Sequence, residues 1–101
     1  MLLGKVVGTV VSTHKEEKIE NIKLLVVDKI DAATSKPMGN FLVAMDGVGA
    51  GSGDYVLLVQ GSSARMTEVT TGRPCDATIM GIVDIIEIDG SFIYQKSEDV
   101  G

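Results

Sequence analysis

Asp46-Gly-Val-Gly-Ala-Gly-Ser-Gly-Asp-Tyr-Val-Leu-Leu-Val-Gln-Gly-Ser-Ser-Ala-Arg65 is the stretch on which the fold turns. Gly47, Gly49, Gly51 and Gly53 alternate with small residues, and an apolar run comes directly after them. Glycines spaced this way let the backbone take positive φ and let another backbone come close. A phosphate-binding loop is the first reading to test, and it fails. The dinucleotide fingerprint needs a helix to open directly after its glycines. Here the next segment is Tyr55 to Val59, which is aromatic and branched strand chemistry, and no lysine stands in the P-loop position. The loop therefore reads as a packing or pore element that leads into a strand.

Upstream, residues 2–12 read as a first strand. Leu3, Lys5, Val7, Thr9 and Val11 share one face, and Leu2, Gly4, Val6, Gly8 and Val10 share the other. Two glycines on one face point to close approach at a curved wall. Residues 13–21 form a polar loop and 22–30 a second strand. Residues 31–40 form a loop with Ser35, Pro37 and Gly39 as turn residues, and 41–46 a third strand. Downstream of a fourth strand at 54–60, Gly61-Ser-Ser-Ala-Arg65 reads as a turn into one short helix. Ser62 or Ser63 supplies its N-cap, and Gly72-Arg-Pro74 stops it. Ala77 to Ile88 reads as a long fifth strand, Asp89-Gly90 as a hairpin turn, and Ser91 to Lys96 as the returning strand. These elements predict an all-β fold: a small five-stranded OB-like Greek-key barrel with one short helix and a C-terminal hairpin. One domain is expected over residues 1–96, with 97–101 a flexible tail.

Composition agrees with that scale. A chain of 101 residues is one domain that buries roughly 60–65% of its unfolded surface. Two Phe, two Tyr and no Trp make the core aliphatic. The net charge is −5, and the second half carries it: six Lys balance six acids through residue 50, whereas Arg65, Arg73 and Lys96 face eight acids beyond it. Such a balance disfavours a nucleic-acid surface, which is normally basic. Cys75 stands alone, so no intrachain disulfide forms, as suits a reducing cytosol. No signal peptide is expected at Met1 to Lys5, and no apolar run reaches the ~20 residues of a membrane-spanning helix.

Three strand segments break the alternation of a sheet with one wet face. Leu24 to Val27, Val56 to Val59 and Ile79 to Val83 are apolar on both sides. One short helix cannot cover that outer surface, and another copy of the chain is the simplest cover.

The catalytic inventory is nearly empty. His14 lies among charges with no second His or Cys nearby, which reads as a solvated loop residue. Cys75 has no histidine in its segment to activate a thiolate. Asp84, Glu87 and Asp89 form an acidic run without EF-hand spacing, and Asp89 already has a turn role. Asp46 and Asp54 flank the glycine loop and are placed to anchor it through side-chain-to-backbone hydrogen bonds. Arg65 reads equally as a boundary residue or as a solvated one. By elimination the residues favour a structural or assembly protein over an enzyme. Two competing classes are an OB-fold nucleic-acid-binding module, which wants basic and aromatic residues on its barrel face, and a small enzyme or metal-binding domain.

One family carries the same pattern. Leu3 to Val10, Lys23 to Val27, Asp46 with Val48-Gly-Ala-Gly51, Gly53, Val56-Leu57, Gly61-Ser-Ser-Ala-Arg65, Asp76-Ala77, Ile79, Gly81 to Asp84 and Asp89-Gly90 occur in order along nearly the whole chain. On these residues the chain resembles the EutN/CcmL family, the pentameric vertex proteins of bacterial microcompartment shells. The Val-Gly-Ala-Gly and Gly-Ser-Ser-Ala-Arg pair is the specific part. The resemblance implies an OB-like barrel, a five-membered homo-oligomeric ring, no catalysis and no cofactor. It implies hexameric shell proteins as partners, neither nucleic acid nor membrane, and a place in the shell of a compartment in the cytoplasm. By analogy, the loop of Gly49, Ala50, Gly51, Ser52 and Gly53 is expected near the five-fold axis, where a bulky residue at Ala50 should block the ring or its opening. Ser62, Ser63 and Arg65 are expected at the subunit boundary.

Overall fold

The computed structural model describes residues 1–11, 23–60 and 77–96. Five strands, β1 (Leu2–Val10), β2 (Lys23–Ile30), β3 (Pro37–Asp46), β4 (Tyr55–Gln60) and β5 (Ala77–Ile82), close a barrel in the order β1-β2-β3-β5-β4. β4 returns to pair with β1, with Leu3 opposite Leu57. The β3–β5 pair is parallel and the rest are antiparallel. This is the Greek-key OB arrangement expected from the sequence. β6 (Ile85–Ile88) and β7 (Ser91–Gln95) form a separate two-stranded sheet.

Branched residues drive the closure. Val6, Leu25, Val27, Val56, Leu58 and Ile79 point inward and are fully buried, with Ala44, Ala50 and Ala77 filling the narrower places. Each large aliphatic side chain so buried contributes ~1.5–3 kcal/mol. Gly4 faces this core, and a Cβ there would overlap Val27 Cγ1 and lie 3.3 Å from the Asp28 carbonyl. The strands pack closely because that position is bare.

Gly8 does not share that face. The β1–β2 register runs Val6↔Val27 and then Gly8↔Val26, so Val7 is the extra residue of a β-bulge. A bulge offsets the rest of its strand by one residue, which turns Gly8 to the outer face beside Val26.

β3 begins earlier than its apolar run suggests. Asp31–Lys36 is a compact turn: Asp31 N donates to Lys36 O, Asp31 Oδ1 accepts from Ala33 N, and Ser35 has φ +57°. Pro37 is the first residue of the strand, where a missing N–H costs little. Gly39, at φ +72°, sits in the irregular step between the pairs Ile30↔Pro37 and Asp28↔Phe41.

The expected long strand from Ala77 to Ile88 is two strands. The chain leaves the barrel at Val83-Asp84, where Val83 N donates to Tyr55 O and the Asp84 carbonyl accepts from Lys96 N. Asp89 (φ +51°) and Gly90 (φ +80°) both take positive φ, as a two-residue type I′ turn requires. The hairpin lies on the outer side of β1 and β4. Tyr94 stacks on Tyr55 with ring centroids 3.9 Å apart, and Ile30, Val83, Leu3, Leu57 and Ile86 complete this second cluster. Ser35 Oγ donates to Ile93 O, and Tyr55 OH donates to Ser35 O. The expected short helix, the polar loop at 13–21 and the tail at 97–101 fall outside the described residues.

Candidate functional site

The glycine loop between β3 and β4 is held at both ends by the aspartates that flank it. Asp46 Oδ1 accepts from Val48 N at 3.0 Å and Gly49 N at 3.1 Å. Asp54 Oδ2 accepts from Gly51 N at 2.9 Å, and Asp54 N donates back to Gly51 O. The anchoring role read from the sequence is what the loop shows. Lys23 adds a long-range tie, with Nζ 2.6 Å from the Ala50 carbonyl and 3.5 Å from Asp46 Oδ2. Gly53 N donates to Val6 O, and Val6 N donates to Asp54 O, so the loop is laced to β1. Gly49 at φ +82° and Gly53 at φ +91° supply the left-handed turns. A side chain at either would be strained there although space is open around both.

The five loop residues do not share one environment. Gly49, Ser52 and Gly53 are exposed and Gly51 is half-buried, whereas Ala50 is fully buried in the core of its own barrel. A bulky replacement of Ala50 therefore overpacks the protomer before it reaches any neighbour. Ser62, Ser63 and Arg65, together with His14 and Cys75, lie outside the described residues. Among the described residues, no group of three metal-ligating side chains comes together, and no helix is long and apolar enough to cross a membrane.

Two exposed apolar strips stand out on the barrel exterior. On β3, Phe41 (61% exposed) and Val43 (50%) alternate with inward residues, and Val26 on β2 stands opposite Val43. On the hairpin, Ile85 (56%) and Phe92 (58%) point away from the barrel, on the face opposite Ile86 and Tyr94. The two-sided apolar character of Val56 to Val59 is partly satisfied within the chain, since the hairpin cluster packs on Leu57. Sequence reasoning misses both strips as specific surfaces. Alternation places Phe41 only at the start of a strand, and it puts Ile85 and Phe92 in strands whose two faces have no reference.

Comparison with known proteins gives a consistent set. The profile of the family described as "Ethanolamine utilisation protein EutN/carboxysome" matches residues 1–84. The carboxysome shell vertex protein CcmL of Gloeobacter violaceus is 41% identical over 98 residues, 97% of either chain. Its solved structure superposes with a TM-score of 0.90, covering 96% of this chain and 99% of that one. The bacterial microcompartment shell vertex protein EutN of Salmonella typhimurium is 41% identical over 96 residues, 95% of this chain and 96% of its own. The structure of the GrpN pentameric microcompartment shell protein from Rhodospirillum rubrum aligns with a TM-score of 0.79 at 45% identity, over 87% of this chain and 99% of that one.

Proposed function

The chain belongs to the EutN/CcmL family, and from that premise we propose that five copies of it close a ring that caps a vertex of a bacterial microcompartment shell. The carrying observation is the match along nearly the whole chain to shell vertex proteins, one of them solved as a pentameric shell protein. The role is structural and not enzymatic, and it places the protein in the shell of a compartment within the cytoplasm. The geometry makes the task definite. A flat sheet of hexagonal tiles cannot close into a polyhedron without pentagons, so a five-membered ring completes each corner.

Hexameric shell proteins are the proposed neighbours of the ring. The loop is proposed to face the five-fold axis through Gly49, Ser52 and Gly53, with Ala50 and Gly51 set behind them. Ser62, Ser63 and Arg65 are proposed to lie at the boundary between subunits. Small residues suit such an axis because five backbones converge there. The test of vertex capping is co-expression with hexagonal shell proteins. Closed polyhedra that become open sheets or tubes when this chain is omitted are the predicted result. Equally closed shells with and without it would sink the reading.

A further inference from the structure

Two Asp-Gly pairs occur in the chain, Asp46-Gly47 and Asp89-Gly90. This dipeptide has a chemistry of its own. Glycine has no side chain to shield its amide nitrogen, so that nitrogen reaches the carboxyl carbon of the aspartate before it more easily than any other residue's does. The reaction needs a carboxyl group free to swing onto the backbone and a backbone free to bend toward it. The fold treats the two pairs in opposite ways. Asp46 is pinned: its side chain is 2% exposed, Oδ1 accepts from the amides of Val48 and Gly49, and Oδ2 lies 3.5 Å from Lys23 Nζ. To reach the Gly47 nitrogen, its carboxyl group must first give up these charge-assisted bonds. Asp89 and Gly90 are exposed at the tip of the β6–β7 hairpin. The Asp89 carboxylate has no hydrogen-bond or ion-pair partner among the described residues, and the space around the Gly90 Cα is open. The contacts that seat the hairpin, Tyr94 and Ile86 on the barrel and Ser35 Oγ on Ile93 O, lie below this tip.

We propose that Asp89 is a site of spontaneous covalent modification, rearranging to isoaspartate through a cyclic imide, and that Asp46 is shielded from the same reaction by the bonds that make it an anchor. The Gly90 nitrogen bonds to Asp89 Cγ, and the carboxyl hydroxyl leaves as water with the proton of that nitrogen. Water, the sole co-reactant, then adds at either carbonyl of the ring and breaks that carbonyl's bond to nitrogen. Opening at Cγ restores aspartate. Opening at the backbone carbonyl leaves the chain running through Cβ and Cγ. Nothing is oxidised or reduced, and the mass is unchanged. The product carries an extra backbone carbon, which a two-residue type I′ turn does not accommodate. The Ile88↔Ser91 pair is therefore lost while the barrel stays closed. The modification is independent of the ring reading above.

Prolonged incubation of the native protein in mildly acidic buffer tests this. Isoaspartate is then read peptide by peptide, by diagnostic backbone-cleavage fragments in mass spectrometry and by labelling with an isoaspartate-specific carboxyl methyltransferase. Isoaspartate is expected to accumulate at Asp89. At Asp46, which reacts only when the loop opens locally, it should form at least ~10-fold more slowly. The same incubation in urea should bring both sites to comparable rates, which separates shielding by the fold from local sequence. Asp89→Glu keeps the charge but forms the larger imide ring far more slowly, and the signal of that peptide should disappear. The wild-type comparison stands by itself if this variant fails to fold. Equal accumulation at both sites in the native protein would overturn the shielding of Asp46. A native Asp89 that stays intact while the urea sample reacts would overturn the modification site, as would an unreactive urea sample or a signal that survives Asp89→Glu.

Discussion

Asp46 has three partners: the amides of Val48 and Gly49 on one oxygen and the Lys23 ammonium on the other, with its side chain only 2% exposed. A buried carboxylate that accepts backbone N–H bonds is a strong local organiser, and its loss leaves two amides unsatisfied. Asp46→Ala is expected to destabilise the protein by ~2–3 kcal/mol, and Asp46→Asn, which keeps an acceptor oxygen, by about 1 kcal/mol. Urea unfolding at fixed protomer concentration measures both, and indistinguishable curves for Ala and wild type would contradict the assignment. Gly4→Ala forces a methyl onto Val27 and should cost ~1–3 kcal/mol by overpacking. Combining it with Val27→Ala should recover part of that loss, which an effect confined to the backbone would not. The Asp46 and Asp54 anchors are legible in the sequence because their partners lie two or three residues away. The Lys23 contact to Ala50 spans 27 residues, and nothing local announces it.

At the scale of elements, the hairpin is the part whose placement depends on one pair of rings. Tyr94 is buried on Tyr55, and Ser35 ties the same arm to the β2–β3 turn. Tyr94→Ala removes a buried ring worth ~3–5 kcal/mol and should release the arm while β1 to β5 stay closed. Hydrogen exchange would then show lost protection at Ser91–Gln95 with the amides of Leu25, Val27 and Leu58 still protected. Uniform loss across all of them would mean that arm and barrel unfold as one unit. The strand count, the glycine loop and the Asp89-Gly90 turn are readable because periodicity and turn chemistry are local signals. The break at Val83-Asp84 is not. An unbroken apolar run hides the point where the chain leaves the barrel, which is set by hydrogen bonds from Val83 to Tyr55 and from Lys96 to Asp84. The bulge at Val7 is hidden for the same reason, because alternation looks continuous until the partner strand is known.

For the whole molecule, the barrel exterior carries exposed apolar residues, among them Phe41, Val43, Ile85 and Phe92, and burial of such residues in an assembly fits the ring proposed above. Of the four aromatic residues, Tyr55 and Tyr94 are spent on the hairpin contact, and the chain is acidic, which leaves little of the platform that single-stranded nucleic acid needs. A gel-shift titration with single-stranded DNA at low salt should show no retarded species. If Ser52 faces the axis as proposed, Ser52→Trp should narrow the central opening seen by electron microscopy while leaving the ring mass unchanged, since Ser52 is exposed. An identical opening would move the loop away from the axis. The placement of the exposed apolar residues is beyond the reach of sequence, which shows surplus apolar surface without saying which residues face outward. The most direct measurement is the native mass of the purified protein. Subunits of 10.6 kDa closing with five-fold symmetry give a particle of about 53 kDa, and that mass is the result predicted. A stable monomer, or a six-membered ring that could not fill a pentagonal corner, would contradict the account.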